Sequence, residues 1–174
     1  SFGRKVKLTS DISITKDGFE GIAYFNGTFD GGNHTIRNLN KEYIGSDYGF
    51  FRYLGEDAYV YNLSVSGTIT ASGSQKNIGG IAGVNKAGAR LINCNSDADI
   101  SATNQTGGIA GNNQGIISGC ISRSKVNTNE LNSSFDIGGV DVGTLNITQH
   151  VVDRNDMGGI AGYSTGVISD STNY

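Results

Sequence analysis

The stretch Gly79-Gly80-Ile81-Ala82-Gly83, followed by Leu91-Ile92-Asn93-Cys94, decides the fold, because the chain writes it repeatedly. The glycine phrase returns as Gly107-Gly108-Ile109-Ala110-Gly111 and Gly158-Gly159-Ile160-Ala161-Gly162, with Tyr48-Gly49-Phe50-Phe51 as a degenerate earlier copy. The second phrase returns as Ile36-Arg37-Asn38-Leu39, Val60-Tyr61-Asn62-Leu63, Ile117-Ser118-Gly119-Cys120 and Ile168-Ser169-Asp170-Ser171. Aligned positions Asn38, Asn62, Asn93, Gly119 and Asp170 lie 24, 31, 26 and 51 residues apart. Self-similarity at such a period marks a repeat architecture, with one supersecondary unit per repeat. The long last step fits one unit carrying an excursion.

Working outward from the Leu or Cys column, residues alternate as in a strand. Val65, Gly67 and Ile69, then Ser96, Ala98 and Ile100, then Ser122, Ser124 and Val126 are expected to point inward. The residues between them are mostly polar and are expected to face water. Equivalent positions recur too far apart for tight hairpins, so the strands are expected to stack in parallel and in register. That register sets Asp97 beside Arg123 and Asp99 beside Lys125, two expected ion pairs. Asn38, Asn62 and Asn93 are expected to line up at a bend, as a side-chain ladder or simply as good turn residues. Ile81, Ile109 and Ile160 are expected to stack in the core, with Gly80, Gly83, Gly108, Gly111, Gly159 and Gly162 allowing close backbone approach. A phosphate-binding glycine loop is the competing reading. It fails because no Lys-Ser/Thr follows, no helix opens, and a unique site has no reason to occur three times.

Composition agrees. The 174 residues include 27 glycines and no proline or tryptophan; glycine costs about 1 kcal/mol per helix-interior site, which argues against a helical protein. A net charge of −3 offers no basic stripe for nucleic acid. No apolar run approaches the ~20 residues of a membrane span, so direct membrane insertion is not expected. Cys94 and Cys120 fall in one column about one strand spacing, ~4.8 Å, apart, a separation that permits a disulfide; buried free thiols are the expectation, because Leu39, Leu63 and Ser171 share the column.

These residues resemble the GLUG motif, a glycine-rich repeat of large bacterial surface and secreted proteins, including the non-catalytic parts of immunoglobulin A-cleaving metallopeptidases. The segments 79–94 and 107–120 carry the likeness most fully. Val6-Lys7-Leu8-Thr9-Ser10-Asp11-Ile12 and Phe25-Asn26-Gly27-Thr28-Phe29-Asp30-Gly31-Gly32-Asn33-His34-Thr35-Ile36 resemble the lead-in of such arrays. The resemblance implies a right-handed parallel β-helix serving as stalk or adhesive surface, with any catalytic machinery elsewhere in a larger parent protein. Beginning at Ser1 and stopping three residues past Ser171, the chain reads as a fragment.

Chemistry has few places to reside. His34 and His150 are the two histidines, and neither opens an H-E-x-x-H zinc motif. No G-x-S-x-G elbow occurs, and His34, within Asp-Gly-Gly-Asn-His-Thr, reads as a turn residue. Asp97 and Asp99 have the spacing of paired catalytic carboxylates, but their expected cationic neighbours favour surface pairing. Residues 129–156 interrupt the repeat, and insertions of this kind often carry binding faces; Phe135 and His150 are its candidate contacts. Tyr59 and Tyr61 flank inward Val60 and are the candidate glycan contacts.

The expectation is therefore a single all-β domain, a right-handed parallel β-helix (β-solenoid) of about four to five coils, with residues 1–26 as a less regular cap. Its expected role is a non-catalytic extracellular stalk or adhesion segment at the bacterial cell surface, with no cofactor and no metal. A host or cell-wall glycan or protein is the expected partner. A glycan-binding module and a carbohydrate-active β-helix enzyme are the alternatives.

Overall fold

A computed structural model describes residues 3–15, 18–43, 45–71, 76–102, 104–126 and 155–174. Among them the chain is all-β, without a helix, and its strand pairings are parallel. An 11-stranded sheet curls around the core, and a 3-stranded and a 4-stranded sheet complete its surroundings. Each repeat gives one strand in turn to the same places. Ile78–Gly79, Asn104–Gly107 and Asn155–Gly158 form the 3-stranded sheet. Phe51–Leu54, Ala82–Asn85, Ala110–Asn113 and Ala161–Ser164 form the 4-stranded sheet. Tyr59–Ala71 runs unbroken through the large sheet, whereas the next repeat divides the same path into Arg90–Ile92 and Asn95–Ser101.

That division is a bend with one physical cause. Asn38, Asn62, Asn93, Gly119 and Asp170 have φ values of 59°, 53°, 51°, 63° and 48°. Left-handed backbone costs an ordinary L-residue about 1–2 kcal/mol and is tolerated by Gly, Asn and Asp, which are the residues found. No amide ladder joins Asn38, Asn62 and Asn93; Asn38 instead donates from Nδ2 to Ser13 Oγ at 2.7 Å. Of the two readings of this column, the structure supports turn propensity.

Immediately after the bend, Leu39, Leu63, Cys94 and Cys120 are buried. The Cys94 N–H donates to Cys120 Sγ at 3.4 Å, and the Cys120 N–H to Ser171 Oγ at 3.1 Å, so each column atom closes the bend of the preceding repeat. Both cysteines are free thiols. Burial pushes the Cys94 thiol well above its ordinary value, and it stays a donor to backbone carbonyls rather than a nucleophile.

The glycine phrase has a geometric explanation as well. Ala82, Ala110 and Ala161 pair in register, so Ile81, Ile109 and Ile160 stack in one column. A Cβ on Gly79 or Gly107 would lie 2.3 or 2.2 Å from the carbonyl oxygen three residues on. On Gly80, Gly108 or Gly159 it would lie within 2.2 Å of a side-chain atom of Ser96, Ser122 or Asn173 across the interior. Gly83 and Gly111 meet the backbone at Asp47 and Asn77 of the preceding repeat. The core is thus narrow here, which is why serine serves as an inward residue: Ser96 and Ser124 are buried and their hydroxyls bond each other at 2.8 Å. Towards the N-terminal end the Ala82 column becomes Phe51, which packs with Phe25, Phe29 and Phe50 at centroid distances of 4.8–5.3 Å.

A second column is polar. Asn85 Nδ2 donates to Asn113 Oδ1 at 2.7 Å, and Asn113 Nδ2 donates to Ser164 Oγ at 3.1 Å, with both amides fully buried. The preceding position is Leu54, which offers no donor, and Asn85 Oδ1 is left without a partner. The N-terminal segment is more regular than expected: Arg4–Lys7 and Ile12–Ser13 pair in parallel with Gly27–Arg37. Most of the insertion, residues 129–154, lies outside the described residues.

Candidate functional site

Tyr59 and Tyr61 stand where the alternation sets them, outward on either side of fully buried Val60. Tyr59 is 38 % exposed. Their rings stack at 4.9 Å between centroids with 29° between planes. The register then supplies neighbours. Lys5, Thr28, Tyr59 and Arg90 form one column, and Lys7, Asp30, Tyr61 and Ile92 the next. Asp30 is oriented by the Gly32 N–H, 2.8 Å from Oδ1, and Lys7 Nζ lies 3.8 Å from Oδ2. Loss of solvent contact and the Asp30 carboxylate push the Tyr61 phenol up, so its hydroxyl stays a donor through the neutral pH range.

The result is an aromatic platform with an acceptor and three basic side chains around it. Such a surface can receive the apolar face of a ring while its rim bonds hydroxyls or carboxylates. Lys5, Lys7, Asp30 and Arg90 were not among the sequence-based candidates. One signal was available: the 31-residue repeat step carries Tyr59 onto position 90.

Other sequence candidates fare differently. Phe135 and His150 lie outside the described residues. His34 belongs to a clip: its Nδ1 is 3.4 Å from Asp11 Oδ1, the same oxygen that accepts the Thr35 N–H at 3.0 Å, while Arg37 Nη2 reaches Asp11 Oδ2 at 2.7 Å. These bonds hold the Asp11 carboxyl below its ordinary value, the Thr35 N–H contributing most. Asp97 and Asp99 do align with Arg123 and Lys125, as the Asn95 to Ile121 and Ile100 to Val126 pairings require. The expected ion pairs nevertheless do not form: no contact within 4.0 Å joins them, and the Arg123 guanidinium lies 5.4 Å from the Tyr174 ring centroid. On an exposed strand face water competes with a weak pair, and the aromatic ring offers the guanidinium a better-packed site.

A second aromatic patch carries its own cation. Lys86 Nζ sits 5.8 Å from the Tyr24 centroid and 5.7 Å from that of Tyr53. Among the described residues no group of three His, Cys, Asp or Glu side chains is arranged to hold a metal ion, and no helix is long and apolar enough to cross a membrane. What the described residues define is an all-β protein of parallel strands in curled sheets. No known protein family, curated protein or solved structure matches the chain.

Proposed function

We propose that this chain is a right-handed parallel β-helix of about four to five coils, a GLUG-type repeat segment that acts as a non-catalytic stalk or adhesion element of a bacterial surface or secreted protein. The observation that carries the reading is the stacking of Ile81, Ile109 and Ile160 through the Ala82, Ala110 and Ala161 pairings, one repeat above another. A stack whose units contact only their neighbours lends itself to spanning distance, and its length can change by whole units. The test is to delete residues 80–107, one full period, so that position 108 follows Gly79. A β-helix refolds one rung shorter, by about 4.8 Å, with the same far-ultraviolet spectrum and one cooperative transition. A shortened chain that fails to fold would count against the proposal.

The stacked Tyr59 and Tyr61 pair favours a second reading, a glycan-binding module built on the same scaffold. A glycan array read with the intact chain and with Tyr59→Ala/Tyr61→Ala separates the passive stalk from the binder. The stalk gives no signal, whereas the binder gives one that the double variant loses.

A further inference from the structure

The tyrosine platform is not electrically neutral. Lys5 and Arg90 occupy the Tyr59 column on opposite sides of the ring, Arg90 on the neighbouring strand and Lys5 two strands away. At about 4.8 Å per strand, both lie within roughly 10 Å of Tyr59 along the sheet. Lys7 stands in the adjoining column beyond Asp30, the acid of that column, and its side chain is 67 % exposed. Arg90 and Lys5 are exposed, and no ion pair engages either one among the described residues. Within these two columns three cations thus meet one carboxylate, on a chain with 13 basic and 16 acidic side chains.

We propose that the face built from Lys5, Lys7, Tyr59, Tyr61 and Arg90 binds an acidic polysaccharide, with a sugar ring on the tyrosines and its carboxylates on the cations. The inference rests on the glycan-binding reading and adds the substrate class. A tyrosine face suits the C–H face of a sugar ring. Arg90 provides a planar fork that grips a carboxylate through two parallel hydrogen bonds, which neutral hydroxyls do not match. Asp30 and Tyr61 are paired at the other rim, where the carboxylate, held by the Tyr61 hydroxyl, keeps lone pairs for ring hydroxyls. A nucleic acid would also meet cations and a stacking surface. However, its affinity is built mainly from many phosphate neutralisations, and this face has three cations on a net-negative protein.

The experiment is calorimetric titration of the intact chain with polygalacturonate, its fully methyl-esterified form, a neutral galactan and a single-stranded oligonucleotide, at about 50 and 200 mM salt. The expected result is binding to polygalacturonate that is at least tenfold tighter than to the esterified polymer and weakens with salt. Arg90→Gln should weaken it about tenfold, Tyr59→Ala/Tyr61→Ala should remove it, and Arg123→Gln on the adjoining face should leave it unchanged. Circular dichroism of each variant checks that the fold persists. Equal binding of the esterified polymer, or no effect of Arg90→Gln, overturns the acidic specificity while leaving the glycan reading standing. Equal or tighter binding of the oligonucleotide overturns the polysaccharide assignment. Binding to no polymer overturns both.

Discussion

Replacing Ile109 with alanine probes the stacked interior where it is least able to relax. Ile109 is fully buried, and its backbone is pinned on both sides: its carbonyl accepts the Ile81 N–H at 3.0 Å, and its N–H donates to the Ile160 carbonyl at 2.9 Å. Gly108 and Ala110 flank the isoleucine in the chain, as their counterparts do in both neighbouring repeats, so its sequence neighbours carry no side chain long enough to fill the space. Isoleucine to alanine in a core costs about 2–5 kcal/mol, the upper values belonging to sites that keep their cavity. A loss of about 4 kcal/mol follows here. At roughly 2–4 °C per kcal/mol for a domain of this size, the midpoint should fall by about 8–16 °C. Ile160 is the internal control. It heads the same column but is partly exposed, so Ile160→Ala should cost only about 1 kcal/mol. Urea unfolding followed by circular dichroism, with unchanged slopes, gives both values. Equal losses at the two positions, or less than about 1 kcal/mol at Ile109, would refute the argument that registered backbone bonds hold the cavity open.

Other consequences follow from the same geometry. Gly108→Ala would bring a methyl 2.0 Å from Ser122 Oγ and 2.3 Å from the Gly159 carbonyl oxygen, and overpacking of this kind should cost about 1–3 kcal/mol in chemical denaturation. Asn93→Val forces a β-branched residue into left-handed backbone and should destabilise by about 1–2 kcal/mol, whereas Asn93→Gly should stay within a few tenths; thermal melts of the pair decide it. Asn113→Ala leaves the buried Asn85 amide only its longer, 3.4 Å bond to the Ile116 carbonyl and should cost about 1–3 kcal/mol, with little change in the spectrum. Because the folded-state carboxyl of Asp11 is held below its unfolded value, its stabilising contribution is present above that value, near pH 3.8, and disappears as pH falls through the folded one. Asp11→Asn should therefore flatten the acid limb of a stability-versus-pH curve below about pH 4 and leave its neutral region parallel to that of the parent.

The parallel register and the buried columns were legible because few residue types satisfy their constraints. A left-handed bend admits Asn, Gly and Asp, and the sequence presents those residues at 38, 62, 93, 119 and 170. The alternation after each bend likewise names Ser96, Ala98 and Ile100 as inward residues. What escaped was anything set by side-chain reach. Arg123 and Asp97 share a register, yet the guanidinium is long enough to choose the Tyr174 ring. The Asn85 and Asn113 ladder was hidden because an asparagine just before Lys86 or Gln114 looks like a loop residue, and only the pairing of Ala82–Asn85 with Ala110–Asn113 turns both inward. Arg90 beside Tyr59 is hidden for a related reason: an isolated basic residue before Leu91 carries no signal of its own until the pairing of Tyr59–Ala71 with Arg90–Ile92 sets it against the ring.

The central claim is that like positions of successive repeats lie side by side in parallel. Nuclear Overhauser contacts among the backbones of Ala82, Ala110 and Ala161 test it most directly. Sequential contacts from 82 to 110 and from 110 to 161, in the evenly spaced pattern of parallel strands, are predicted. Their absence, or the alternating close pairs of antiparallel strands at these positions, would contradict it.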